Sequence, residues 1–477
     1  MHIESGSLCT KWSKFIQKLK YLGKTEQYRL LIYTLDINHT CTSNLDHPVH
    51  YKHNHFNLLQ VSFSKMSSFL FFVFITTVFP ANTASNRFDN FTVYRVVPRT
   101  SKQLEILRRL QENTIDNYNF WTDVGAVGHP VDIMVPPNLK SKFLNFLSTQ
   151  RFEYKLWINN VQRLLDAEKP QADNRARAVD WSDYYNLETI YHWMDKLNEE
   201  YPATVTPIVI GYSYEKREIR GIKVSFGATK KTVFIEGGMH AREWISPAVV
   251  TYILNEILSS NDGEVREMAE SRDWYFFPVC NPDGYVYTHS KNRFWRKTRK
   301  PYGRCYGADP NRNWNFLWMQ GGASNDSCTE TFAGSSPFSE IEVKNLAEFI
   351  GTIANTLETY LSFHSYSQLI LTLYGRKGLA LPKKLDQQLR IARAAADGIS
   401  FRYGTIFRVG SIVGLMGVIS GTSVDYVKGT YKKVPYVYAI ELRDQGRCGF
   451  VLPKQQIIPS GREMLDGLVR MFREIGK

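Results

Sequence analysis

Lys231-Thr232-Val233-Phe234-Ile235-Glu236-Gly237-Gly238-Met239-His240-Ala241-Arg242-Glu243-Trp244 decides the reading of this chain. Its first six residues make a short apolar run, the kind that forms a buried strand in a helix-covered sheet. Two glycines end the run, and His240 and Glu243 follow it. An isolated His-x-x-Glu arises often by chance, so the weight comes from its repetition in other places. Thr359-Tyr360-Leu361-Ser362-Phe363 is closed by His364, and Tyr436-Val437-Tyr438-Ala439-Ile440 is closed by Glu441. Trp274 to Val279 leads into the turn Asn281-Pro282-Asp283-Gly284. In such sheets ligands bind beyond the carboxyl ends of the strands, so distant residues converge on one rim. His240, Glu243 and His364 offer two imidazoles and a carboxylate, a three-ligand set that leaves a zinc ion one open position for water. Glu441 remains free to act as a base, and the combination points to metal-assisted hydrolysis.

Other polar residues leave alternatives open. Arg293, Arg296, Lys297, Arg299 and Lys300 taken alone suggest a basic loop or a nucleic-acid patch. Asn281-Pro282-Asp283-Gly284 is ordinary turn chemistry. Asp309 suits a helix cap as well as a carboxylate that orients a ligand histidine.

Six motifs in chain order carry a family resemblance. They are His240-Ala241-Arg242-Glu243-Trp244, Asn281-Pro282-Asp283-Gly284-Tyr285, Asn292 to Arg299, Asp309-Pro310-Asn311-Arg312-Asn313-Trp314, His364-Ser365-Tyr366-Ser367-Gln368, and Glu441-Leu442-Arg443-Asp444. Together they resemble the zinc metallocarboxypeptidases of the pancreatic and digestive procarboxypeptidase A/B type, over roughly residues 88 to 477. The resemblance implies one Zn²⁺ per chain on His240, Glu243 and His364, with Asp309 orienting the first histidine. It implies that Glu441 is the general base and acid and that Arg296 stabilises the oxyanion. Asn311 and Arg312 resemble the clamp on the substrate's terminal carboxylate, and Arg242 a more distal contact to the bound chain. The implied activity removes one residue at a time from peptide and protein C-termini. A catalytically weak or silent zinc-containing peptide-binding protein of the same fold is the alternative.

Two positions bear on substrate choice. Aligned on Gly410-Ser411-Ile412 and on Ser423-Val424-Asp425, Gly417 falls where the family carries a tyrosine that swings over the substrate. A glycine there supplies no phenolic hydrogen bond and loosens the loop, which predicts a weaker hold on peptides. Val424 stands at the pocket base, where B-type relatives resemble one another in carrying an aspartate. An apolar base with Leu371, Gly375, Met416 and Ile419 around it has nothing to pair with a lysine or arginine, so release of aromatic or aliphatic residues is expected.

The rest of the chain fits a two-part proenzyme behind a leader. The expected catalytic domain, 178–477, is α/β: a mixed, mostly parallel twisted sheet with helices on both faces. Residues 85–177 form the expected pro-domain and linker. Strand-like runs at Phe91–Val97, Val131–Val135 and Phe152–Ile158, with helical spacing at Leu104, Leu107, Leu110 and at Phe143, Leu147, give a small ferredoxin-like α/β unit. By resemblance this unit covers the active site, and a trypsin-like protease cutting after Arg175 or Arg177 releases the enzyme. Residues 66–84 read as a signal peptide, because Phe69 to Phe79 is apolar but too short to span a bilayer. Residues 1–65 hold six of the eleven histidines and none of the motifs, and read as a non-native upstream extension. Cys305 and Cys328 match the family's common disulfide, Cys280 reads as an inert thiol, and the state of Cys448 is open. The formal charge of +13 is dispersed through all regions with no long basic arm. The expectation is therefore a secreted, extracellular monomer with no nucleic-acid partner and no stable membrane association.

Overall fold

The computed structural model describes residues 86–116, 118–168, 179–227, 231–376, 378 and 385–477. The expected extension, the signal peptide, Arg175 and Arg177 lie outside the described residues. All described residues belong to one compact unit, Val78–Lys477.

The N-terminal part runs strand β1 (Thr92–Val97), a helix (Ser101–Glu112), β2 (Asn119–Phe120), β3 (Val131–Val135), a helix (Lys140–Thr149) and β4 (Glu153–Ile158). Its antiparallel sheet has the order β2-β3-β1-β4, the ferredoxin-like arrangement. Thr100 caps the first helix by accepting from the Gln103 N–H at 3.1 Å. That helix buries Leu104 and Leu107, the second buries Phe143 and Leu147, and both pack with Val131, Ile133 and Val135 in one core. All five residues of β3 are buried. Its second face is covered as well: Met134 packs with Phe294, Tyr366 and Phe450 from the other half of the chain. The run expected as an apolar strand at 152–158 is a mostly exposed edge, in which Glu153 and Lys155 keep the open ladder polar.

The larger part is built on an eight-stranded sheet. Its strands are β5 (Val205–Tyr212), β6 (Glu218–Val224), β7 (Thr232–Glu236), β8 (Asp273–Phe277), β11 (Leu357–Ser365), β12 (Leu369–Thr372), β13 (Arg408–Ser411) and β14 (Tyr436–Leu442), in the order β13-β12-β14-β11-β7-β8-β6-β5. A separate hairpin, β9 (Pro301–Tyr302) and β10 (Cys305–Tyr306), completes the numbering. The central strands β14, β11, β7 and β8 are parallel, while β5, β6 and β12 join antiparallel. Side chains alternate between two cores. Val233, Ile235, Trp274, Phe276, Leu361 and Ile440 face the helices Leu187–Glu200, Ile245–Ser259, Leu385–Tyr403 and Ile457–Ile475. Phe234, Phe277, Tyr360, Val437 and Ala439 face the helices Ile341–Ile353 and Ser423–Thr430. Apolar residues on both faces explain why the central strands read as unbroken runs.

Candidate active site

The site forms where the parallel strands end. The chain leaves β7 through Gly238, at φ +61°, where a Cβ would lie 2.9 Å from the Pro278 carbonyl oxygen. Only glycine fits this turn, and the turn swings His240 back toward β11. The Ser246 hydroxyl fixes the swing by donating to the Phe363 carbonyl at 2.6 Å and accepting from the Gly238 N–H at 3.0 Å. His364 and Glu441 lie within β11 and β14, not beyond them, and stand opposite each other in register.

His240, Glu243 and His364 are buried, and their ligand atoms lie within 4.8 Å of one another. The Nδ1 atoms of His240 and His364 approach the Glu243 carboxylate at 2.7 and 3.0 Å and each other at 3.1 Å. His240 Nε2 meets Asp309 Oδ1 at 3.1 Å, and His364 Nε2 lies 3.0 Å from Ser362 Oγ. With Nε2–H donated outward, both Nδ1 lone pairs converge with the carboxylate on one point. Two facing nitrogen lone pairs beside an anion suit a cation, and the donor set fits zinc.

Asp309 joins this cluster to Arg296. Its Oδ2 accepts from Arg296 Nε at 3.0 Å and Nη2 at 2.9 Å, and its Oδ1 also accepts from the Asn311 N–H at 2.8 Å. Asp309 thus caps the short helical turn Pro310–Arg312 and also meets His240, so its geometry is compatible with both readings the sequence left open. Burial opposes the Asp309 charge, but Arg296, Arg312 and His240 hold its carboxyl well below the usual carboxylate range. Glu441 differs: burial pushes its carboxyl up to about 8, with the neighbouring Glu243 adding to the rise.

These groups open on a cavity of about 190 Å³. His240, Glu243, Arg296, Asn311, Arg312, His364 and Glu441 line its polar side, and Leu371, Ile412, Met416, Ile419, Val424 and Ala439 its apolar side. Gly375 lies behind the wall, donating its N–H to Asp425 Oδ2 at 3.0 Å. Cys305 and Cys328 form a disulfide, with their Cα atoms 5.2 Å apart. Cys280 and Cys448 are free thiols, the first buried and raised well above its usual range by that burial.

Residues 190–467 match the family described as zinc carboxypeptidase. The chain belongs to the zinc carboxypeptidase family. Residues 94–168 match the carboxypeptidase activation peptide, so this metallocarboxypeptidase is made as a zymogen. Zinc carboxypeptidase A 1 of Anopheles gambiae is 44% identical over 393 residues, covering 81% of this chain and 90% of that protein. The crystal structure of carboxypeptidase A from Helicoverpa armigera superposes with a TM-score of 0.73 at 27% identity, covering 81% of this chain and 98% of that one. Thrombin activatable fibrinolysis inhibitor superposes with the same TM-score at 31% identity, covering 80% and 98%.

The activation peptide, expected to cover the site, also contributes side chains to it that were not singled out from the sequence. Trp121, Thr122, Asp123 and Gly128 to Pro130 line the cavity beside the zinc carboxypeptidase residues. The Asp123 carboxylate accepts a hydrogen bond from Arg312 Nη2 in an ion pair whose arginine side chain is only 2% exposed. Arg242, expected to touch a bound chain, is not on the cavity wall. It donates to Asn119 Oδ1 and to the Phe120 carbonyl, both at 3.1 Å, and its guanidinium lies 4.3 Å from the centre of the Phe450 ring. Arg293 donates to both oxygens of Glu168 at 2.6 and 2.7 Å and stacks on Trp244 at 3.7 Å. Residues 119–125 lie in a short strand and an aperiodic loop, and Asp123 alone reads as a turn residue.

Proposed function

We propose that this carboxypeptidase is secreted and, once its activation peptide is removed, releases preferentially aromatic or aliphatic residues from peptide C-termini. The observation that carries this reading is the cavity itself: an apolar recess, based on Val424, with Arg312 and Asn311 on the same wall as the three-donor cluster. Arg312 holds the substrate's terminal carboxylate, a planar anion suited to a guanidinium, in the place where Asp123 now supplies one. The terminal side chain enters the recess, where no charge stands ready for a lysine or arginine.

His240, Glu243 and His364 hold zinc, which when bound polarises the scissile carbonyl and makes a nearby water more acidic. Glu441 takes the proton from the attacking water on its carboxylate and returns it to the leaving amine nitrogen. Its burial raises proton affinity, which suits a group that must both accept and donate. Arg296 keeps Nε and Nη2 on Asp309, so the guanidinium is oriented before substrate arrives and can stabilise negative charge developing on the carbonyl oxygen. Release of the activation peptide removes the Asn119 and Phe120 partners of Arg242 and the Glu168 partner of Arg293, while their contacts to Phe450 and Trp244 hold them along the cleft. Cutting by a trypsin-like protease after Arg175 or Arg177 would leave residues 176–477 or 178–477 as the active monomer. The disulfide Cys305–Cys328 and the apolar segment 69–79 support a secretory route.

The test uses trypsin-treated, zinc-loaded protein and peptides ending in Phe, Leu, Lys and Glu. Release of Phe and Leu, lost with a chelator and with Glu441→Gln, is expected. Release of Lys in preference to Phe would overturn the specificity, and no release from any peptide would overturn the activity.

A further inference from the structure

Gly417 and Gly125 meet backbone to backbone. A Cβ added at Gly417 would lie 2.5 Å from the Cα, carbonyl carbon and oxygen of Gly125. A Cβ added at Gly125 would lie 1.7 Å from the Met416 carbonyl oxygen. Carbon atoms in contact sit about 3.5–4.0 Å apart, so either side chain forces the two backbones away from each other. Both residues are buried, and Gly417 has φ +96°, a conformation that side chains disfavour.

The surroundings make this a built seat. Arg108, on the helix Ser101–Glu112, donates to the Gly125 carbonyl at 2.9 Å and reaches the Val124 carbonyl at 3.4 Å, aiming the loop at its target. On the other side of the substrate loop, Gly322 has φ +66° and a Cβ there would lie 2.0 Å from the Val418 carbonyl oxygen. The Met416–Val418 backbone is therefore held between two glycine segments, one from each part of the chain. Two residues before Gly125 stands Asp123, paired with Arg312.

We propose that the Met416–Gly417 backbone is the docking surface for the activation peptide, a seat free of side chains that accepts glycine at 125. Latency depends on this glycine pair, because a hydrogen-bonded ion pair tolerates only a few tenths of an ångström and lifting the loop by an ångström removes Asp123 from Arg312. The same seat retains the cut activation peptide after the linker is cleaved. This rests on the carboxypeptidase reading above, in which Arg312 must be free for substrate to bind.

The experiment compares the full chain, zinc-loaded and uncleaved, with its Gly125→Ala variant on a chromogenic peptide ending in phenylalanine. The variant should show at least tenfold more activity before cleavage, and an unchanged kcat/KM once the activation peptide has been cut and separated. Equal latency in the two uncleaved chains would overturn the proposal. Gly417→Ala approaches the seat from the enzyme side and should raise the ratio of uncleaved to cleaved activity in the same way. It decides the matter if Gly125→Ala lowers the melting temperature below the assay range. Retention of the cut activation peptide, followed by gel filtration on dilution, needs no activity and separates this proposal from the carboxypeptidase reading. At least tenfold earlier dissociation in the variants supports the seat, whether or not peptide is hydrolysed, and equal retention refutes it.

Discussion

Replacing Asp123 with asparagine should unmask activity in the uncleaved zymogen. The substitution keeps the shape of the side chain and removes its charge, leaving Arg312 with Asp309 at 3.7 Å and two backbone carbonyls. Removing one member of a buried, hydrogen-bonded charge pair costs about 2–5 kcal/mol. Asp123 retains 23% of its side-chain exposure and Arg312 keeps a nearby carboxylate, so the low end applies, about 2–3 kcal/mol. At about 1.4 kcal/mol per tenfold, the hold of the activation peptide on the site weakens roughly 30- to 150-fold. Activity of the full, zinc-loaded chain on a peptide ending in phenylalanine should rise by a comparable factor at low substrate concentration, with no change after cleavage. High salt should raise the activity of the parent zymogen more than that of the variant, because screening acts on the partly exposed charge. Latency within twofold of the parent, together with normal activity after cleavage, would show that the Asp123–Arg312 pair does not hold the site closed.

Glu168→Gln breaks the Glu168–Arg293 pair, whose side chains are 4% and 7% exposed, and should cost about 3–5 kcal/mol of attachment; faster dissociation of the cut activation peptide in gel filtration checks it. Burial pushes the Asp425 carboxyl up to about 7, so its neutral form is favoured in the fold. The stability this adds is present below the unfolded value near 3.8 and is lost as pH rises through about 7, on the order of 4 kcal/mol. Asp425→Asn keeps an acceptor for the Gly375 N–H without the charge, so it should melt above the parent at pH 8 and level with it near pH 4; an equal gap at both values refutes the assignment. Removing zinc with a chelator should abolish hydrolysis and lower the melting temperature. Saturation at a hundred times the dissociation constant stabilises by about 2.7 kcal/mol, and restored metal should restore both.

The central sheet was readable because β7, β8, β11 and β14 are buried on both faces and so appear as continuous apolar runs. Their ends were less readable. His364 and Glu441 are polar, yet they continue the strand ladder because the site lies on it. The edge strands β5 and β13 are half exposed and carry no such pattern. His240, Glu243 and His364 were legible because few residue types bind zinc and the spacing put them at strand ends. Asp123, Phe120 and Gly125 were not, because each acts through a partner about 120 to 300 residues away and none has a chemistry that names its partner in advance. Gly417, read from the sequence as a position that loosens the substrate loop, is buried against the activation peptide, a contact that its residue type alone does not announce.

Asp309 sets a limit on how this site can vary. One carboxylate meets His240 Nε2 with its first oxygen and accepts from Arg296 with its second. In the function proposed above, holding the metal and stabilising the oxyanion would therefore be linked through a single side chain. Substitutions of His240 and Arg296 should be non-additive, since each alters the charge that Asp309 presents to the other. Tuning the enzyme for a different metal or a more demanding leaving group would have to proceed through both residues together, with Asp309 as the fixed point between them.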